Sequence, residues 1–426
     1  MKAPQPLVDA IAILTVTVTL LAAVEIFLRV TVPEEAPEST RPSDPEQIAY
    51  EFDEHYLVSV KANMKRTFVR NAENGGDVIE WRTNGDGFRG APLKQRPATR
   101  IVVYGDSNIE ARSTRTENTY SSKLGEHLKA AGVTDVEVVN AGVIGFGPDQ
   151  SLIRLSLETE TLEPNLVVFH AFADNDFGDI VRNRLFDLGP DDVLIATTHR
   201  KTIDTHLLAA DARRREGPLS SLFVVQATRR LSRLIRAENV PDHTMADEQV
   251  TTLQKLAADE YAVYKRSAPR VASHFADHYD IDVALATDEE SSKVKVKLMG
   301  AVLRHARDEA ASRGIQFVVL IQPSRVDLTE LGPLNYKYLA KYPTYRSSRL
   351  TDVVEQICRD NGIPFVNLFP VFKVNRPAEL FFKGNDDHWN DRGQDLAARE
   401  TASYIVARRL LAGIAPDVSV AQRDPH

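Results

Sequence analysis

Short, nearly continuous apolar runs recur along the chain, and helical spacing fills the intervals between them. The runs are "RIVVYG" (100–105), "VEVVNAG" (136–142), "PNLVVFHAF" (164–172), "GIQFVVLIQPS" (314–324) and "GIPFVNLF" (362–369). "TYSSKLGEHLKAAG" (119–132) places Leu124 and Leu128 one turn apart and stops at Gly132. "KVKLMGAVLRHARDEAASRG" (295–314) and "TDVVEQICRDNG" (351–362) lead into the fourth and fifth runs, and Ala398, Ala402, Ile405 and Val406 keep core spacing near the end. β-branched runs that do not alternate, interleaved with helices, predict an α/β domain around a parallel sheet buried on both faces. In such sheets, chemistry collects at the carboxyl ends of the strands.

The flanking segments read differently. Leu7 to Val30 is almost wholly apolar, and Ala10 to Val24 carries no charge. A membrane-spanning helix needs about 20 such residues, reached here with Glu25 and Arg29 near the interface. Lys2 in front, and no clean cleavage site behind, predict a retained anchor with a cytoplasmic tail at 1–6. The anchor is placed at 7–32, a Pro-rich acidic linker at 33–48, the main domain at 49–412 and a tail at 413–426. On this reading everything after the linker is extracytoplasmic, and a periplasmic domain on an inner-membrane anchor is expected. Residues 49–98 read as a polar lead-in ending "WRTNGDGFRG". A mostly helical insertion is expected at 183–295, between the third and fourth strands. Its basic stretch "QATRRLSRLIRAEN" (226–239) fits an amphipathic helix, packed on the domain or lying on the membrane.

Composition narrows the chemistry. Among 426 residues, 52 are Lys or Arg and 60 are Asp or Glu, for a net charge of −8, so no nucleic-acid footprint is present. The single cysteine, Cys358, excludes an internal disulfide and C-x-x-C chemistry; among Val and Ile it reads as a core residue.

Four polar segments converge on the carboxyl edge of the expected sheet. They are Gly105-Asp106-Ser107, "NAGVIGFG" (140–147), "ADND" (173–176) and "GNDDHWNDRG" (384–393). Together they offer a hydroxyl, flexible backbone N–H groups, a carboxamide and a carboxylate–histidine pair, the parts needed for acyl transfer. Each has a plainer reading. Ser107 fits an N-cap, the glycines fit turns, and Asn175 fits a turn-former. Asp176 is expected to bond local backbone N–H groups.

The four blocks, in this order, resemble the SGNH (GDSL-type) hydrolases from Asn84 to about Leu411, apart from the insertion. "TNGDGFRG" before the first strand also resembles membrane-anchored bacterial members. The resemblance implies a flavodoxin-like three-layer α/β/α fold with about five parallel strands. It makes Ser107 the nucleophile, His388 the base, and Ser107, Gly145 and Asn175 the oxyanion donors. Two departures stand out: Ala173 replaces a glycine, and Asn385 occupies the place of the usual triad acid. The form Asp386-x-His388-Trp389 resembles the alginate acetyltransferase-like branch. Asp386 is therefore assigned as orienter of His388, with Asp387 the alternative. A carboxylate two residues from a histidine cannot face it in a helix, but can do so in an irregular loop.

No cofactor is expected. Asp386, Asp387, His388 and Asp391 lack the second histidine a metal site would favour, and "DNDFGD" has the wrong glycine and closing positions for a calcium loop. His170, at the end of the third strand, is expected to border the site. The functional expectation is a serine esterase or deacylase acting on an ester or acylated glycan. The alternatives are an O-acyltransferase with the same triad, or a non-catalytic envelope binding protein.

Overall fold

The computed structural model describes residues 15–16, 19–20, 49–197, 242–266, 278–329, 339, 341–384 and 386–411. The chain divides into two compact units, Met1–Pro42 with Asp204–Met245, and Ser43–Ile203 with Ala246–His426. The second holds the sheet and the site.

Its centre is a five-stranded sheet of β5 (Thr99–Gly105), β6 (Val136–Gly142), β7 (Leu166–Ala173), β10 (Gln316–Pro323) and β11 (Phe365–Asn367), in the order β11-β10-β7-β5-β6. Every neighbouring pair is parallel. This is the flavodoxin-like order, and its switch point lies between β5 and β7. β5 and β7 are buried at every position, which explains their unbroken apolar runs. Ile101 and Val103 face a core shared with Leu124, Leu128, Leu396 and Ala397. Val102 and Tyr104 face a core shared with Leu155, Val302 and Val354. The sheet is therefore the middle of three layers.

The helices follow in chain order: α1 (Ser107–Glu110), α2 (Tyr120–Ala130), α3 (Pro148–Leu162), α4 (Asp176–Asn183), α5 (Asp242–Lys265), α6 (Ile281–Leu285), α7 (Glu290–Ser312), α8 (Arg325–Leu328), α9 (Arg349–Asp360), α10 (Phe369–Val374) and α11 (Asp391–Arg408). Helices α2 and α11 cover one face of the sheet, and α3, α7 and α9 the other. Cys358 is buried on α9, and burial pushes its thiol up to about 12.

The lead-in is more ordered than its polarity suggests. It forms two antiparallel hairpins, β1 (Tyr50–Asp53) with β2 (Leu57–Val60), and β3 (Lys65–Val69) with β4 (Val78–Arg82). The signal lay in "VIEWR", where Ile79 and Trp81 are buried and Val78, Glu80 and Arg82 are exposed. A strand with one wet face alternates in this way. Within 183–295 a further hairpin, β8 (Phe186–Leu188) with β9 (Leu194–Ala196), accompanies the helices. Asn183 closes α4 and Glu290 opens α7, so both ends of that interval lie in helices of the main domain. The fifth strand is also shorter than expected, three residues against the eight of "GIPFVNLF".

Among the described residues, no helix is long and apolar enough to cross a membrane. The tail at 1–6, the linker at 33–48, the basic stretch at 226–239, Asn385 and the tail at 413–426 lie outside the described residues, save Ala49 beyond the linker. So does the anchor at 7–32, except for four helical positions.

Candidate active site

β5 delivers Ser107 at the sheet's carboxyl edge. The capping role that a serine could fill here falls instead to Asp106, whose carboxylate accepts the Asn108 N–H at 2.8 Å. Ser107 is thus the first helical residue and keeps its hydroxyl for another partner. It is half-buried, while Asp106 and Asn108–Glu110 are buried, so the hydroxyl is the accessible point of the turn.

That partner is His388. Its Nε2 lies 2.8 Å from Ser107 Oγ, and its Nδ1 lies 2.7 Å from Asp386 Oδ1. The same Asp386 oxygen accepts the His388 backbone N–H at 3.0 Å. An irregular loop allows this pairing of residues two apart, as the sequence reading required. With the Nδ1 proton held by the carboxylate, Nε2 is left to accept from the serine hydroxyl. Asp387 Oδ1 is also near, 3.2 Å from Nδ1. Asp386 therefore holds the ring, and Asp387 contributes charge beside it.

The electrostatics follow. Burial lowers the His388 pKa, but the hydrogen bond to Asp386 and the charges of Asp387, Asp386 and Asp106 raise it above the ordinary imidazole value. Burial also acts against ionised Asp386, and the bonds to His388 outweigh it and hold the carboxyl low. A histidine base works in its neutral form, so with His388 as the base kcat/KM is expected to climb with pH through this raised pKa. Asp387→Asn removes one negative charge close to the ring. The acidic limb of the pH–rate profile is expected to move to lower pH by about one unit; a limb that stays in place or moves up contradicts this role for Asp387.

Gly145 and Asn175 sit on the loops after β6 and β7, the strands that flank β5 on either side. Gly145 is half-buried with φ +71°, a left-handed conformation that favours glycine. Asn175 is buried at the start of α4. Its loop is braced by Asp176, which accepts the Phe172 N–H at 2.6 Å as expected of a local backbone partner, and by Asp174, which accepts from the Ser324 hydroxyl. Gly142 serves packing: a Cβ there would run into the backbone of Ile109 and Glu110.

Several supporting residues escaped the sequence reading. Asn108 Oδ1 accepts the Trp389 N–H at 3.1 Å, tying the serine turn to the residue after His388. Arg325, which opens α8 just after β10, donates Nη1 to the carbonyls of Phe382 and Gly384 at 3.0 Å each, and to that of Asp386. Asn74 of the lead-in pairs with the Lys383 backbone in both directions. Such bonds tie residues far apart in sequence and leave no periodic trace.

Two aromatic rings lie in the core under this site. Trp389 is fully buried against Tyr120, His170 and Phe372. It packs the core beneath His388. His170 borders the site from beneath, buried, bonded to Gln322 at 2.8 Å and 3.4 Å from Asp106. Burial pulls its pKa down. Of the four residues weighed as a metal set, Asp386, Asp387 and His388 lie together. Asp391 is bonded instead to Arg70 at 2.5 Å and Asn118 at 2.9 Å.

Residues 282–424 match the family model described as an SGNH hydrolase-like domain of the acetyltransferase AlgX. No curated protein matches the chain. Similar solved structures include the lipase/acylhydrolase from Enterococcus faecalis, 13% identical over 73% of this chain and 96% of that one, with a TM-score of 0.36. Another is the psychrotrophic esterase EstA from Pseudoalteromonas sp., 14% identical over 73% and 98%, with a TM-score of 0.36. A third is a two-domain esterase (CEX) active on acetylated mannans, 11% identical over 75% and 51%, with a TM-score of 0.34. Residues 282–424, which hold Asp386 and His388, are thus similar to an SGNH hydrolase-like domain, and the protein is an enzyme of the ester-hydrolase or related O-acyltransferase type.

Proposed function

We propose that this protein is a serine esterase or deacylase working through a Ser107 acyl-enzyme, with an O-acylated carbohydrate or simple ester as substrate. The observation that carries the reading is the hydrogen-bonded chain from Ser107 Oγ through His388 to Asp386, at 2.8 and 2.7 Å. Ser107 Oγ attacks the ester carbonyl carbon while its proton passes to His388 Nε2. The N–H groups of Ser107 and Gly145 and the Asn175 amide hold the resulting oxyanion. Collapse breaks the ester C–O bond, and His388 returns the proton to the departing alkoxide. Water, deprotonated by His388, then attacks the acyl-enzyme and frees Ser107.

In this proposal the apolar Leu7–Val30 segment anchors the protein in the inner membrane and places the domain on the periplasmic side.

The second reading is an O-acyltransferase, in which a glycan hydroxyl replaces water in the last step. It is favoured by the family description, which names an acetyltransferase. Turnover of p-nitrophenyl acetate with and without an oligosaccharide acceptor separates the two. Acetate release at the same rate in both, with no acetylated sugar by mass spectrometry, is expected of the esterase. Turnover that depends on the acceptor and yields acetylated sugar establishes the transferase.

A further inference from the structure

Glu110 closes the short helix that Ser107 opens, and it is only 1% exposed. A buried carboxylate is costly unless its oxygens are occupied. Here both are. Oε1 accepts the Tyr50 hydroxyl at 2.6 Å, and Oε2 accepts the Ile144 backbone N–H at 2.7 Å. Tyr50 belongs to β1 of the lead-in, and Ile144 immediately precedes Gly145. The main chain of Glu110 is fixed as well. Arg89, itself buried, donates Nη1 to the carbonyls of Glu110 and Ala111, and Nη2 to that of Thr114.

The loop after β6 needs such a hold. Gly145 adopts φ +71°, outside the conformations of the strand before it. The Val143 N–H bonds the Gly105 carbonyl at 3.0 Å, and the Phe146 N–H bonds the Val143 carbonyl at 3.2 Å. Glu110 supplies the bond at Ile144, between those two. A carboxylate acceptor is stronger than a neutral one. Burial raises the Glu110 pKa, while Tyr50, Arg112, the Ile144 N–H and Arg89 favour its anion.

We propose that Glu110, completed by Tyr50, is a positioning residue that locks the Gly145 loop onto the Ser107 turn and so aims the Gly145 N–H at the oxyanion. This rests on the reading of Ser107 as nucleophile and Gly145 as oxyanion donor. It makes the β1–β2 hairpin a working part of the site, although the hairpin lies outside the stretch matched to the family model.

The test compares Glu110→Ala, Glu110→Gln, Tyr50→Phe and Ser107→Ala in the full-length protein. The readouts are thermal melting, kcat and KM for p-nitrophenyl acetate, and the rate ratio between that ester and its thiono analogue. Sulfur in place of the carbonyl oxygen is a poorer hydrogen-bond acceptor, so the ratio reports on the oxyanion donors. Glu110→Ala is expected to lower kcat by about 100-fold, the scale of one lost oxyanion donor. KM stays within about twofold, since the lost contact acts in the transition state alone, and the oxo-to-thiono ratio shrinks. Glu110→Gln, whose amide oxygen can still accept from Ile144, restores most of kcat and the ratio. Wild-type kcat and ratio in folded Glu110→Ala overturn the proposal. If that variant does not fold, Tyr50→Phe decides: a reduced ratio supports the proposal and an unchanged ratio overturns it. Retained turnover in Ser107→Ala overturns the underlying site reading. An inactive Ser107→Ala beside a wild-type Glu110→Ala overturns this proposal alone.

Discussion

Ser107→Ala is expected to abolish ester turnover, with a loss of about 10⁶-fold in kcat. The size follows from the role. Without Oγ there is no acyl-enzyme, and the oxyanion donors can assist only a direct attack by water. The fold is expected to stay intact, because Asp106 rather than Ser107 caps the helix. The Asp106 carboxylate accepts the Asn108 N–H with or without the serine hydroxyl. An unchanged melting temperature beside lost turnover is therefore the expected pair of results, read from a thermal melt and an aryl acetate assay. A variant that keeps its activity contradicts both the esterase and the transferase readings.

The second large effect is expected at Asp386. Asp386→Asn is expected to lower kcat by about 10⁴-fold. An asparagine amide donates where the carboxylate accepted, so the imidazole turns to its other tautomer and Nε2 no longer accepts from Ser107. Asp387→Asn is expected to lower kcat by less than about tenfold at alkaline pH, since a neighbouring charge tunes the pKa without setting the tautomer. The contrast rests on 2.7 Å for Asp386 against 3.2 Å for Asp387, and on the backbone bond that pins Asp386 to the His388 N–H. A greater loss from Asp387→Asn than from Asp386→Asn reverses the assignment of the orienter.

How much of this was legible in the sequence depends on the kind of bond involved. β5, β6, β7 and β10 could be read because both of their faces are buried, which leaves unbroken apolar runs such as Ile101-Val102-Val103. Ser107 stood out because it lies in a compact polar block directly after such a run, whereas Asp386 and His388 lie in a polar block well past the last strand, and the resemblance to SGNH hydrolases assigned all three their roles. The lead-in hairpins were missed because Ile79 and Trp81 alternate with exposed residues inside a charged segment. Glu110 was missed for another reason. As a sequence position it is an acid in a short turn, and its partners Tyr50 and Ile144 are 60 and 34 residues away. Pairings at that range come from the topology that sets β6 beside β5. Trp389 is a different case: it entered only as part of a motif, and its place is in the core beside His388.

The central claim is that Ser107 is the nucleophile of this site. The most direct measurement is labelling of the wild-type protein with a fluorophosphonate, followed by mass-spectrometric mapping of the modified residue. One adduct is expected, on Ser107, that Ser107→Ala abolishes and His388→Ala slows severely. An adduct on another residue, or none on a folded protein that still turns over esters, contradicts it.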